Sequence, residues 1–255
     1  MKNKFTTTIS GLTIMGLMAT APLAAFAKEG DTKPEKANGA NFCTIINSED
    51  FKVLTKYEDR AAKLDDKRDE RDGKIDEHRD LADQKREDHK FEFEDRQNER
   101  SGKFEAKGLT DEQKAALAAA QQAVQSAIDN HSGDISALVK EFRDNMDQIR
   151  SEHRTAIDGL LVGVKADVDA AITKAKADCA AGVAPETVKA NFQESVKVSH
   201  EKFVAERKDV QDETKSDIKA EVEARKDARE SIGLSFRASI KSAWESFKAL
   251  FGKKQ

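Results

Sequence analysis

The chain has 255 residues, 44 of them Lys or Arg and 48 Asp or Glu, for a net charge of −4 at neutral pH. With 36% of its residues charged, one Trp, one Tyr and three Pro, it cannot fill a thick globular core, and its balanced charges argue against a dedicated nucleic-acid binder. Long helices with a narrow apolar seam suit this mixture, and helical periodicity separates it from a disordered chain of equal polarity.

Met1-Lys2-Asn3-Lys4 is a short basic start, followed from Ile9 by an apolar run that ends in Ala25-Phe26-Ala27. Small residues at the first and third positions before a break are what signal peptidase accepts, so residues 1–27 read as a signal peptide cut after Ala27. An uncleaved anchor is the alternative, disfavoured because Thr and Gly interrupt the run. No Cys follows it directly, which argues against a bacterial lipoprotein anchor. Residues 28–42 have Gly, Pro, Lys and Glu without periodicity and read as a flexible leader.

Residues 43–107 form the first predicted helix, charged at well over half of the positions from Ser48 on. Leu54, Ala61, Ile75 and Ala82 fall at multiples of seven, with Arg68 in the gap. Pairs such as Asp59–Lys63, Glu70–Lys74 and Glu92–Arg96 stand four apart, each worth a few tenths of a kcal/mol. Gly73 and Gly102 are the soft points of this helix.

Gly108-Leu109-Thr110 reads as a turn, and Thr110 with Gln113 as a capping box. The second predicted helix covers residues 108–183, with a candidate break at 130–134 around Gly133. Its seam runs through Ile135, Phe142 and Ile149 on one line and Val139, Met146, His153 and Leu160 on the other. It then steps to Leu161, Val164, Val168, Ile172, Ala175 and Cys179, a four-residue stutter. Gly159 and Gly163 make a GxxxG, read as a place of close helix approach.

Gly182 closes that helix and Pro185 opens the third, covering residues 184–255, where the missing N–H of proline costs nothing. Phe192, Phe203, Phe236 and Phe247 share one 11-residue line, with Thr214 and Arg225 at the intermediate steps. Eleven residues make three turns, so this stripe runs nearly straight along the helix. Short turns between helices of similar length favour antiparallel neighbours. The predicted fold is all-α, an elongated antiparallel three-helix bundle or coiled coil.

Two cysteines test that topology. With the first turn near Leu109, Cys43 lies opposite about residue 175, within roughly one helical turn of Cys179. In an oxidising compartment a Cys43–Cys179 disulfide is then within reach, with free or intermolecular thiols as the alternative.

Enzyme chemistry finds no support. There is no P-loop, no dinucleotide glycine motif, no nucleophile elbow and no HExxH. His78 and His89 stand three turns apart, roughly 16 Å, too far to share an ion. An EF-hand loop placed on Gly73 would begin at Arg68 and end at Arg79, so its ligands fail. No cofactor and no metal are expected.

The last 25 residues differ from the rest. Phe236, Ile240, Trp244, Phe247, Leu250 and Phe251 make an aromatic face, and Arg237, Lys241 and Lys248 add cations. Two readings stand. The face closes the bundle against Leu117, Val124 and Ile128, which a Phe-rich stripe usually does. Alternatively it docks on an anionic membrane or a partner helix.

The stretches Asn41-Phe42-Cys43 and Ala177-Asp178-Cys179-Ala180-Ala181-Gly182, the latter ahead of a proline-started helix, resemble a group of uncharacterised exported helical proteins of small-genome bacteria. That resemblance implies no activity. The expected function is an exported structural or interaction protein of the periplasm, cell surface or extracellular space, with a protein partner or a second copy and no nucleic acid. A holdase-like chaperone and a membrane-surface binder are the alternatives.

Overall fold

The computed structural model describes residues 42–48, 51, 53–106 and 108–249. The expected signal peptide and leader up to Asn41, and Leu250 and Phe251 at the other end, lie outside them. Four helices follow in order: α1 (Phe42–Ile46), α2 (Val53–Glu105), α3 (Asp111–Ala180) and α4 (Pro185–Ala249). Among the described residues there is no strand. The chain is an all-α helical bundle, and the 70 residues of α3 give it a length of roughly 105 Å.

Both long turns form where glycine and capping chemistry put them. Gly108 and Gly182 have φ of 68° and 78°, the left-handed region open to glycine, and they are the only positive-φ residues described. At Thr110 the hydroxyl accepts from the Gln113 N–H at 3.3 Å while the Gln113 side chain accepts from the Thr110 N–H at 3.1 Å, the expected capping box. Pro185 is the first residue of α4.

The single helix expected over residues 43–107 is divided into α1 and α2. Asn47 Nδ2 donates to the Cys43 carbonyl at 2.8 Å, and Ser48 Oγ to the Ile45 carbonyl at 2.7 Å. These short polar side chains satisfy the last carbonyls of α1 and end it after five residues. The candidate break at 130–134 does not occur, since α3 runs unbroken from Asp111 to Ala180. Ile128 and Val139 are buried on either side of Gly133, and their packing outweighs the roughly 1 kcal/mol that glycine costs a helix. Nor do Gly159 and Gly163 mark a close approach. Both are exposed, and a Cβ built on either would meet nothing within 4 Å.

α3 and α4 pack backbone against backbone, whereas no Cα of α2 lies within 8 Å of a Cα of α4. The α3–α4 seam is apolar and takes small residues. α2 carries charged side chains that hold it farther off, and its only buried residue is Ser101. All six positions of the 11-residue line on α4 face inward: Phe203, Thr214 and Phe247 are buried, and Phe192, Arg225 and Phe236 half-buried. The heptad line of α2 holds through Ile75 and then departs. Ala82 is exposed, and Asp83 turns inward in its place to meet Arg143.

The core is divided between the two ends. At one end Ile46, Val168 and Val188 are fully buried beside Phe203 and the α1 residues, with Phe42 and Phe51 against Phe192 at 5.8 and 5.9 Å between centroids. Cys43 and Cys179 are joined there by a disulfide, with Cα atoms 5.7 Å apart. At the other end Leu109, Leu117, Val124 and Ile128 of the α3 side close over Trp244 and Phe247 of α4.

Candidate functional site: a basic aromatic groove between α2 and α4

Where α2 stands away from α4, near the end opposite the disulfide, a groove of about 440 Å³ opens between them. Heptad spacing on α2 brings Phe93, Gln97, Arg100 and Phe104 to its inner side. The 11-residue stripe on α4 supplies Phe236, and Ile240 and Trp244 follow it along the same side of the helix. The groove floor is therefore apolar: Phe93 meets Phe236 at 5.4 Å between centroids, and Ile240 and Trp244 continue it.

Trp244 is fixed from three sides. Its indole N–H donates to Gln97 Oε1 at 3.3 Å, its ring stacks on Phe104 at 5.7 Å, and the Arg100 guanidinium lies over it, 4.3 Å from the centroid. The rim is cationic. Arg237, Lys241 and Lys248 are exposed along α4, and Arg100 faces them from α2. Glu245 is the one acid lining the groove, and it pairs with Lys241 at 3.6 Å. Among the described residues Arg100, Arg237 and Lys248 have no carboxylate partner.

Both sequence readings of this helix meet here in altered form. Trp244 and Phe247 are 3% and 1% exposed and pack with Leu117, Val124 and Ile128. Phe236 and Ile240 are half-buried against the same cluster. The rings are thus turned into the bundle, and the cations Arg237, Lys241 and Lys248 are left outside. Phe93 is one of the sparse apolar residues of the charged helix, whereas Gln97 and Arg100 carry no sequence signal of their own. Their 4-3-4 spacing with Phe104 is visible, but which face α2 turns to α4 depends on the tertiary register.

Midway along the rod a second polar constellation joins α2 to α3. Arg68 binds Asp158 at 2.8 Å, Asp72 binds Arg154 at 2.6 Å, Arg79 binds Asp147 at 2.7 Å, and Asp83 binds Arg143. The hydrogen bond from Arg154 holds the Asp72 carboxyl below its ordinary range, and Arg143, with Arg86, does the same for Asp83. His153 lies at this level with a buried Nε2 that has no hydrogen-bond partner. Burial first, then Arg68, Arg71, Arg207 and Arg154, push its imidazole below the usual range. On α4 the Arg225 guanidinium lies 4.3 Å over the Phe142 ring, so the polar step of the aromatic stripe is met by an aromatic one. These groups lock register.

No helix among the described residues is long and apolar enough to cross a membrane, and no group of three or more His, Cys, Asp or Glu among them could hold a metal ion. No protein-family model matches the chain, and no similar curated protein or solved structure was found.

Proposed function

We propose that the protein is an exported, non-enzymatic rod of the cell envelope that serves as a spacer or docking surface. One observation carries this reading: a bundle roughly 105 Å long is closed at both ends, by the Cys43–Cys179 disulfide and α1 at one and by the Trp244–Phe247 cluster at the other. A disulfide suits an oxidising compartment, in keeping with the signal-like residues 1–27. End closure resists fraying, as a body that holds two partners apart requires.

Fractionation of expressing cells, combined with photo-crosslinking in the intact envelope, tests the proposal. Photoreactive residues replace the exposed Glu186, near the disulfide, and the exposed Gln122, near the aromatic end. The expected result is a chain that starts at Lys28, accumulates outside the cytosol and crosslinks to different envelope components from its two ends. Cytosolic retention with residues 1–27 attached, or the same single partner from both ends, contradicts it.

A further inference from the structure

We infer that the groove between α2 and α4 binds one anionic amphiphile from solution, with its apolar chain on Phe93, Phe236 and Trp244 and its oxyanion head among Arg100, Arg237 and Lys248. Charge complementarity selects the head. The lining has four cations and one acid, and that acid is bound to Lys241. Three cations are left for a ligand, two of them arginines whose planar donor sets suit an oxyanion. The floor selects the tail. The groove of about 440 Å³ sets the apolar side chains Phe93, Phe236, Ile240 and Trp244 beside five charged ones, a lining that suits a ligand with an apolar chain and a charged head.

The contrast across α4 is informative. On its other side lies a depression of about 630 Å³, walled by Ala116, Ala119 and Ala123 of α3 and by Ala238, Ser242 and Ser246 of α4. It has no charge to orient a ligand. A bilayer surface is the poorer occupant of the basic groove as well. Docking on lipid headgroups needs aromatic rings that project to the headgroup level, and Trp244 is 3% exposed at the bottom of a cleft. A single chain can enter where a membrane plane cannot.

This ligand site stands apart from the spacer role, and each can fail alone. Trp244 is the only tryptophan of the chain and lines the groove, so its fluorescence reports on this end of the bundle, and the double variant below assigns the response to the groove. The oxidised full chain is titrated with dodecyl phosphate below its micelle concentration, with dodecyltrimethylammonium, with inorganic phosphate and with phosphatidylglycerol vesicles. The expected result is a saturable change in Trp244 emission with dodecyl phosphate alone. Its midpoint should weaken at least tenfold in Arg237→Glu/Lys248→Glu, a variant of exposed residues that keeps its helicity and melting temperature. Lys140→Glu, the same change on a distant exposed lysine, should leave the midpoint in place. An equal response to the cationic amphiphile, a response to inorganic phosphate at the same midpoint, a response to vesicles only, an unmoved midpoint in the double variant, or no response overturns the inference.

Discussion

Asp83 and Phe247 show two ways in which single residues hold this rod. Phe247 is 1% exposed, meets Phe104 edge-on at 5.0 Å and sits in the end cluster beside Trp244. Phe247→Ala leaves a cavity that three helices cannot close, and a loss of about 3–5 kcal/mol is expected in chemical denaturation. Phe91, at 66% exposure, is the control: Phe91→Ala should stay within about 0.5 kcal/mol. Asp83 acts by charge, accepting from both Arg143 and Arg86. Acid therefore acts on the fold in two windows. His131 and His153 are both held below the ordinary imidazole value of 6.5 by burial. The unfolded chain takes up those protons first, so stability is full above about pH 6.5 and falls as pH drops toward the folded values. Asp72 and Asp83 are depressed below 3.8, so their contribution persists through that window and is lost only as pH falls through their folded values. Urea midpoints measured from pH 7.5 to 3 should show both declines. Replacing His131 and His153 by Gln should flatten the upper one and spare the lower.

At the scale of elements, α2 is a charged strap on a tighter α3–α4 hairpin. Its four Arg–Asp pairs run 68, 72, 79 and 83 on α2 against 158, 154, 147 and 143 on α3, so each step along one helix is matched by an equal step back along the other. Such half-exposed pairs contribute little each, but together they specify one register. Asp83→Arg should lower stability by about 1 kcal/mol, and adding Arg143→Asp should restore most of it, as read in a double-mutant cycle. The effect should shrink between 0.05 and 0.5 M salt.

Much of this layout is legible in the sequence. Gly108 with Thr110 and Gln113, and Gly182 with Pro185, mark both turns through local chemistry. The 11-residue stripe of α4 is visible because aromatic residues recur at one spacing. Three features are not legible, each for a physical reason. Asp83 replaces Ala82 on the inner face because Arg143 stands opposite, a fact fixed by register and not by periodicity. The chain breaks after Ile46 through side-chain bonds from Asn47 and Ser48 that compete with the helix. The groove needs Phe93 and Arg100 of one helix beside Trp244 of another, a juxtaposition set by how far charged side chains hold α2 from α4.

Among the described residues the two large apolar clusters lie at the ends, with the Arg–Asp pairs of α2 and α3 between them, so persistence as a rod depends on how the ends are tied. The disulfide spans a sequence separation of 136 residues. Closing so long a loop stabilises a fold by up to about 4–5 kcal/mol in the chain-entropy account, and Cys43→Ser should lose a large part of that in reversible unfolding. The loss should appear first near α1, as faster hydrogen exchange in Val53–Leu64 and in the C-terminal turns of α3, while Leu117–Ile128 keeps its protection.

Non-reducing peptide mapping by mass spectrometry of the purified protein tests the folded-back rod most directly, because only an antiparallel return of the chain along α3 brings Cys43 to Cys179. A monomer in which the peptide containing Cys43 is linked to the peptide containing Cys179 is the predicted result. Two free thiols, or a Cys43–Cys43 linkage between chains, would contradict it.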